Sequence, residues 1–175
     1  MTNPVRLSLV AVVTMVGPLA AQRQGQTAFW IALGAGAAYL QRPASIGIYG
    51  AYDYQRGANL FTLRSANAVD VPNVLFGVFG LSGTTEASDI GLLYGRATRP
   101  GHGFAGLSAG IGLAQASRDT AGTSRKTYHL TLPLEGQVAW RPARFIGFVL
   151  LAFASLNRGQ SFGGITVGVQ LGRLY

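Results

Sequence analysis

From Ile165 onward every second residue is large and apolar: Ile165, Val167, Val169, Leu171. The residues between them, Thr166, Gly168, Gln170 and Gly172, are small or polar. This is the period of a β-strand with two unlike faces, and it is incompatible with the 3.6-residue repeat of an amphipathic helix. A chain built from such segments needs a sheet whose two sides meet two different environments.

Eight segments alternate in this way. They run over 29–40, 45–55, 59–67, 88–97, 103–115, 128–140, 145–155 and 162–174. In the first, Phe29, Ile31, Leu33, Ala35, Ala37 and Tyr39 oppose Gly34 and Gly36. In the second, Ile46, Ile48, Tyr52 and Tyr54 oppose Gly47 and Asp53. The third sets Phe61 and Leu63 against Thr62 and Arg64; the fourth sets Ile90, Leu92 and Tyr94 against Asp89, Gly91 and Gly95. In the fifth, Leu107, Ala109, Ile111 and Leu113 oppose Gly106, Ser108, Gly110 and Gly112. The sixth has the sharpest contrast, with Tyr128, Leu130, Leu132, Leu134, Val138 and Trp140 against His129, Thr131, Glu135 and Gln137. The seventh is apolar on both faces, so its register is open. Each segment is near the roughly 9–11 residues that cross a bilayer as a tilted strand.

Composition decides which environments the two faces meet. Hydrophobic residues make up 49% of the 175 and charged residues 11%, against about 25% charged in a soluble domain. No apolar run after residue 25 reaches the roughly 20 residues of a membrane helix. The 25 glycines lie mostly inside the apolar stretches, where each would cost a helix about 1 kcal/mol relative to Ala. A soluble barrel would turn the bulky faces to water and leave its interior to Gly, Ala and Ser. Inverting the barrel removes that loss, at roughly 1.5–3 kcal/mol for each large side chain. The expected fold is therefore all-β: an eight-stranded antiparallel up-and-down transmembrane β-barrel.

The connections carry a second pattern. Those after strands two, four and six are short (56–58, 98–102, 141–144); those after three and five are longer (68–87, 116–127). Short periplasmic turns and longer outer loops have this parity if the chain enters from the periplasm. The first outer connection, near Arg42-Pro43, is very short. Within 68–87, residues 73–80 are apolar and could form a ninth short strand or meet a partner. Aromatic residues gather at the expected periplasmic ends. Trp30, Tyr52, Tyr54, Tyr94 and Trp140, with Phe104, Phe145 and Tyr175, are expected to form an interfacial girdle.

Residues 1–21 read as an export signal, with Arg6, an apolar stretch from Leu7 to Leu19, and Ala20-Ala21; residues 22–175 would be the barrel. The formal charge is +8 and cysteine is absent. The arginines are scattered at strand ends (Arg56, Arg96, Arg99, Arg141, Arg144, Arg173) without a recognition motif, so nucleic acid is not an expected partner. Anionic lipid head groups are the partner they suit.

In its strand pattern the chain resembles the small OmpA/OmpX-type outer-membrane barrels over residues 28–175. Gln170, Gly172 and Tyr175 are similar to the C-terminal sorting signal of such proteins. The resemblance implies residence in the bacterial outer membrane and recognition by the barrel-assembly machinery. It does not supply a function, because that fold hosts several.

The chemistry-bearing residues are few. Arg64, Asp53, Asp89, Glu135, Gln137 and Gln170 are expected in the lumen, where charges must pair. Arg64 with Glu135 or Asp89 would make a plug rather than a pore. His129, Thr131 and Glu135 share a face and faintly resemble the residues of lipid A-modifying barrel enzymes, but His129 and Glu135 are roughly 20 Å apart along a strand. His102 falls in a turn. Two distant histidines and no cysteine give no metal site, and no cofactor is expected. The expected function is a non-enzymatic barrel: structural, adhesive, or a subunit of an envelope assembly that meets a partner through 68–87. A lipid A-modifying enzyme and a small pore are the alternatives.

Overall fold

A computed structural model describes residues 27–40, 42–70, 85–98, 102–120 and 123–174. The strands are β1 (Thr27–Leu40), β2 (Arg42–Arg56), β3 (Asn59–Asp70), β4 (Thr85–Thr98), β5 (Gly103–Thr120), β6 (Thr123–Trp140), β7 (Ile146–Leu156) and β8 (Phe162–Arg173). Each pairs antiparallel with its sequence neighbour, and β8 returns to pair with β1, closing the barrel. Closure leaves no edge strand, as a bilayer requires.

The alternation in the sequence becomes inside and outside. On β8, Ile165, Val167 and Leu171 are exposed, while Thr166 and Gln170 are buried. The register of β7 settles as well: Phe148, Leu150 and Leu156 face out, and Val149, Leu151, Phe153 and Ser155 face in. The exterior carries large apolar side chains on every strand, from Phe29 and Ile31 on β1 to Val167 and Leu171 on β8. Such an exterior is stable only against hydrocarbon, so the barrel spans a membrane.

At the end with the short turns, register aligns Phe29, Tyr54, Phe61 and Tyr94 in one row across β1 to β4. The ring centroids of Phe61 and Tyr94 are 5.3 Å apart, and Trp140 stacks on Phe148 at 5.9 Å. Tyr52, Tyr54, Tyr94 and Trp140 are all on this outer surface. Trp30 and Phe104 are not. Both are buried inside the barrel, because they share the parity of the inward residues Ala28, Ala32 and Gly106. Their aromatic character suggested the girdle, but strand parity fixes the face.

Two local features shape the wall. The β2–β3 turn joins Arg56 to Asn59 through Gly57, whose φ of 61° is the left-handed geometry that tight hairpins need. On β6, Pro133 has no N–H, and the β5–β6 ladder lapses there, from Ala109↔Leu134 to Gly112↔Thr131. Its ring fills the space beside Gly91, where a β-carbon would meet Pro133 Cγ at 2.9 Å.

The expected 116–127 loop is instead a continuation of the sheet. Ala116 to Thr120 pair with Thr127 to Thr123, so five pairs of polar character extend the β5–β6 hairpin. At about 3.4 Å per residue this projects the hairpin roughly 15 Å past Tyr128. Polar composition suggests a loop; the pairing that continues without a break from Gly112↔Thr131 to Thr120↔Thr123 overrides it. The β1–β2 connection is as short as the sequence indicates, with Leu40 paired to Arg42. Residues 1–26, 73–80 and Tyr175, with the readings attached to them, lie outside the described residues.

Candidate functional site in the barrel interior

The interior is filled in layers, which follow from parity and register. At the short-turn end the Arg141 guanidinium carbon lies 4.5 Å from the centroid of the Trp30 ring and 4.1 Å from that of Phe104. The two rings meet edge to face at 5.3 Å. Arg141 Nε donates to Gln170 Oε1 at 3.1 Å, and Nη1 donates to the Leu174 carbonyl at 3.1 Å. Desolvated cation–π contacts of this kind are worth about 2 kcal/mol.

Above this layer a polar chain crosses from strand to strand. Gln170 Nε2 donates to Gln137 Oε1 at 3.1 Å, and Gln137 Nε2 donates to Glu135 Oε1 at 3.2 Å. Tyr49 closes it, its hydroxyl donating to Glu135 Oε2 at 2.7 Å. Beside the chain, Thr62 donates to Asp53 Oδ1 at 2.5 Å.

Arg64 forms the central layer. Its Nη2 contacts Asp89 Oδ2 at 2.8 Å, and its Nη1 lies 4.0 Å from Glu135 Oε2. The same guanidinium donates to the Leu134 and Ala154 carbonyls at 2.8 and 2.9 Å. One side chain from β3 thus ties β4, β6 and β7 across the lumen. Both partners of the Arg64–Asp89 pair are fully buried. Such a pair is held only when further hydrogen bonds support it. Here the two carbonyls take Nη1 and Nη2, and the Ala66 N–H donates to Asp89 Oδ1 at 3.3 Å, while Nε has no partner among the described residues. Phe153 caps the layer toward the other end, packed against Tyr49 and Phe162 at 6.2 Å each.

All six residues expected in the lumen are buried there: Asp53, Arg64, Asp89, Glu135, Gln137 and Gln170. Asp89 is the close partner of Arg64, and Glu135 the distant one. Sequence reasoning missed Arg141, Trp30, Phe104 and Tyr49. The signal was available, since Arg141 continues the inward parity of Glu135, Gln137 and Ala139. Gly172, read as part of a sorting signal, has a φ of 150° and packs its backbone against Trp30, where a β-carbon would meet Trp30 Cα at 2.7 Å.

The faint catalytic set does not assemble. Thr131 Oγ1 is taken by Ser155 at 2.8 Å and by the Leu156 carbonyl at 3.1 Å. Glu135 is taken by Tyr49 and Gln137. The His129 ring lies over Gly159 in the β7–β8 connection, close enough that a β-carbon there would meet Nε2 at 2.5 Å. The three share a face and not a site.

Neither a protein-family model nor a curated protein sequence matches the chain. Solved structures do. The N-terminal β-barrel domain of Pseudomonas aeruginosa OprF superposes with a TM-score of 0.60 at 12% identity, covering 85% of this chain and 100% of that one. Ail, the attachment invasion locus protein of Yersinia pestis, gives 0.58 at 12% identity, covering 85% and 98%. Ail has also been solved in complex with the heparin analogue sucrose octasulfate. Neisserial surface protein A gives 0.56 at 12% identity, covering 83% and 95%. The chain has the OmpA/OmpX-type architecture of small eight-stranded outer-membrane barrels.

Proposed function

We propose that this protein is a non-conducting, non-catalytic outer-membrane barrel that acts through its outer rim as an adhesive surface. The carrying observation is the filled interior: Arg141 between two aromatic rings, then a continuous polar chain, then Arg64 bonded to three other strands. A lumen so occupied supports neither ion flow nor entry of a substrate.

The rim reading rests on the β5–β6 hairpin. Its register sets Arg118 opposite Arg125 and Ser117 opposite Lys126. By sequence, residues 117–126 carry Arg118, Arg125 and Lys126 against the single acid Asp119, a net positive charge at the tip of the barrel. The hairpin therefore suits a polyanionic partner, such as a sulfated or phosphorylated glycan. The complex of Ail with a heparin analogue supports the same partner class. Residues 68–87 remain the second candidate contact, for an envelope protein. Assembly through the barrel machinery, with Gln170, Gly172 and Tyr175 as its signal, belongs to the same proposal.

Binding to immobilised heparin by the protein in outer-membrane vesicles tests the reading. Removal of residues 117–126, or Arg118→Ser with Arg125→Ser, is expected to abolish binding at low salt while the barrel still migrates as a folded species on unheated gels. Retained binding by both variants would move the contact elsewhere. No binding by the wild-type protein would leave a purely structural barrel. Altered lipid A masses dependent on His129 would overturn the non-catalytic reading.

A further inference from the structure

The short-turn end carries a set of cations that the filled interior does not use. Arg56 ends β2, Arg96 lies near the end of β4, Arg144 sits in the β6–β7 turn and Arg173 ends β8. All four are exposed. Each adjoins an outward aromatic: Arg56 follows Tyr54 on the same face, Arg96 follows Tyr94, Arg144 precedes Phe145, and Arg173 pairs in register with Phe29. Among the described residues none of the four is ion-paired with a carboxylate. The acid nearest this end, Asp53, points inward and is fully buried. Backbone bonds fix part of the ring in place, with Leu174 N donating to the Arg144 carbonyl at 2.8 Å and Gly172 N to that of Phe145 at 3.1 Å.

We infer that this ring binds the phosphates of anionic phospholipids in the leaflet that surrounds the short-turn end. The aromatic row sits where acyl chain meets head group. Arginines one step beyond it lie at phosphate depth, where a guanidinium makes charge-assisted, bidentate contacts. Four cations spread over β2, β4, the β6–β7 turn and β8, with no facing acid among the described residues, select a lipid bearing net negative charge over a zwitterionic one. This site is distinct from the outer hairpin, at the opposite end of the barrel, and stands whether or not that hairpin is adhesive.

The chain supplies its own reporter. It has two tryptophans. Trp30 is sealed in the interior, whereas Trp140 is 59% exposed, one residue before the turn that holds Arg144. Brominated acyl chains quench only on contact, so they read Trp140. The protein would be reconstituted in phosphatidylcholine vesicles containing brominated phosphatidylglycerol, and in phosphatidylglycerol vesicles containing brominated phosphatidylcholine. The expected result is a preference for phosphatidylglycerol of about fivefold at low salt, shrinking as salt rises. Arg144→Gln with Arg173→Gln should bring the ratio near one, and Arg144→Lys with Arg173→Lys should keep most of it. Arg158→Gln, an exposed arginine at the other end, should leave it unchanged. Equal quenching by the two lipids in the wild-type protein would overturn the inference. So would a loss in Arg158→Gln as large as in the double Gln variant, since net charge and not the ring would then be responsible.

Discussion

Arg64 and Arg141 are both fully buried in the same barrel, yet they are held by opposite means. Arg64 is neutralised by carboxylates, Asp89 at 2.8 Å and Glu135 at 4.0 Å. Arg141 is held by the faces of Trp30 and Phe104, a glutamine and a carbonyl. The difference lies in what each leaves behind if removed. Losing Arg64 strips Asp89 and Glu135 of the cation that contacts them, whereas losing Arg141 empties the space between two rings and removes a cation that acts on Asp53. The interior holds two arginines, Arg64 and Arg141, against three acids, Asp53, Asp89 and Glu135, so removing either arginine widens an existing shortfall of positive charge.

The largest expected effect comes from Arg64→Ala. It should destabilise the barrel by about 3–5 kcal/mol, the range for stranding a buried partner, measured by urea unfolding in lipid vesicles. Adding Asp89→Ala should cost less than the sum of the two singles. Additive losses would show that the pair is not the anchor of this layer. Arg141→Ala should cost less, roughly 2–3 kcal/mol from lost cation–π and hydrogen-bond energy. Arg141→Met, which keeps the packing between the rings, should recover part of it. A cost for Arg141→Ala equal to that for Arg64→Ala would break the contrast.

Tyr49→Phe sharpens the comparison from the anion side. It removes one donor to Glu135 while Gln137 and Arg64 remain, and should cost about 1.5 kcal/mol. The smallest effect is expected outside. Leu107→Ala removes a lipid-facing side chain 62% exposed within the barrel wall, and should shift unfolding by less than about 1 kcal/mol. Gly168→Leu on the inward face should instead prevent refolding, because its β-carbon would meet the Leu33 carbonyl oxygen at 2.0 Å. Equal tolerance of these two changes would undo the inside–outside assignment on which the contrast of the two arginines depends.

The fold was legible because barrel strands repeat one instruction, bulky out and small or polar in, and eight repeats average out local noise. The lumen charges were legible because a chain so short of charge exposes each one on the polar face of a strand. What escaped was residue type at odds with parity. Trp30 and Phe104 were assigned by chemistry to the girdle, and Arg141 to a turn, although their positions in the alternation put all three inside. The choice between Asp89 and Glu135 as the mate of Arg64 could not be read from one strand. It depends on the stagger between strands, which places β3 beside β4 at Arg64↔Gly91 while β6 lies across the lumen. The β5–β6 projection escaped because polar residues in a hairpin beyond the membrane have no apolar face to reveal their pairing.

The claim on which the account rests is that this interior is a fixed plug. Planar-bilayer recording of the purified, refolded protein tests it most directly. The account predicts no stepwise conductance from the wild-type barrel in molar salt, and discrete openings once Arg64→Ala and Arg141→Ala are combined in a barrel shown to be folded. Stable ion-conducting steps from the wild-type protein would contradict it.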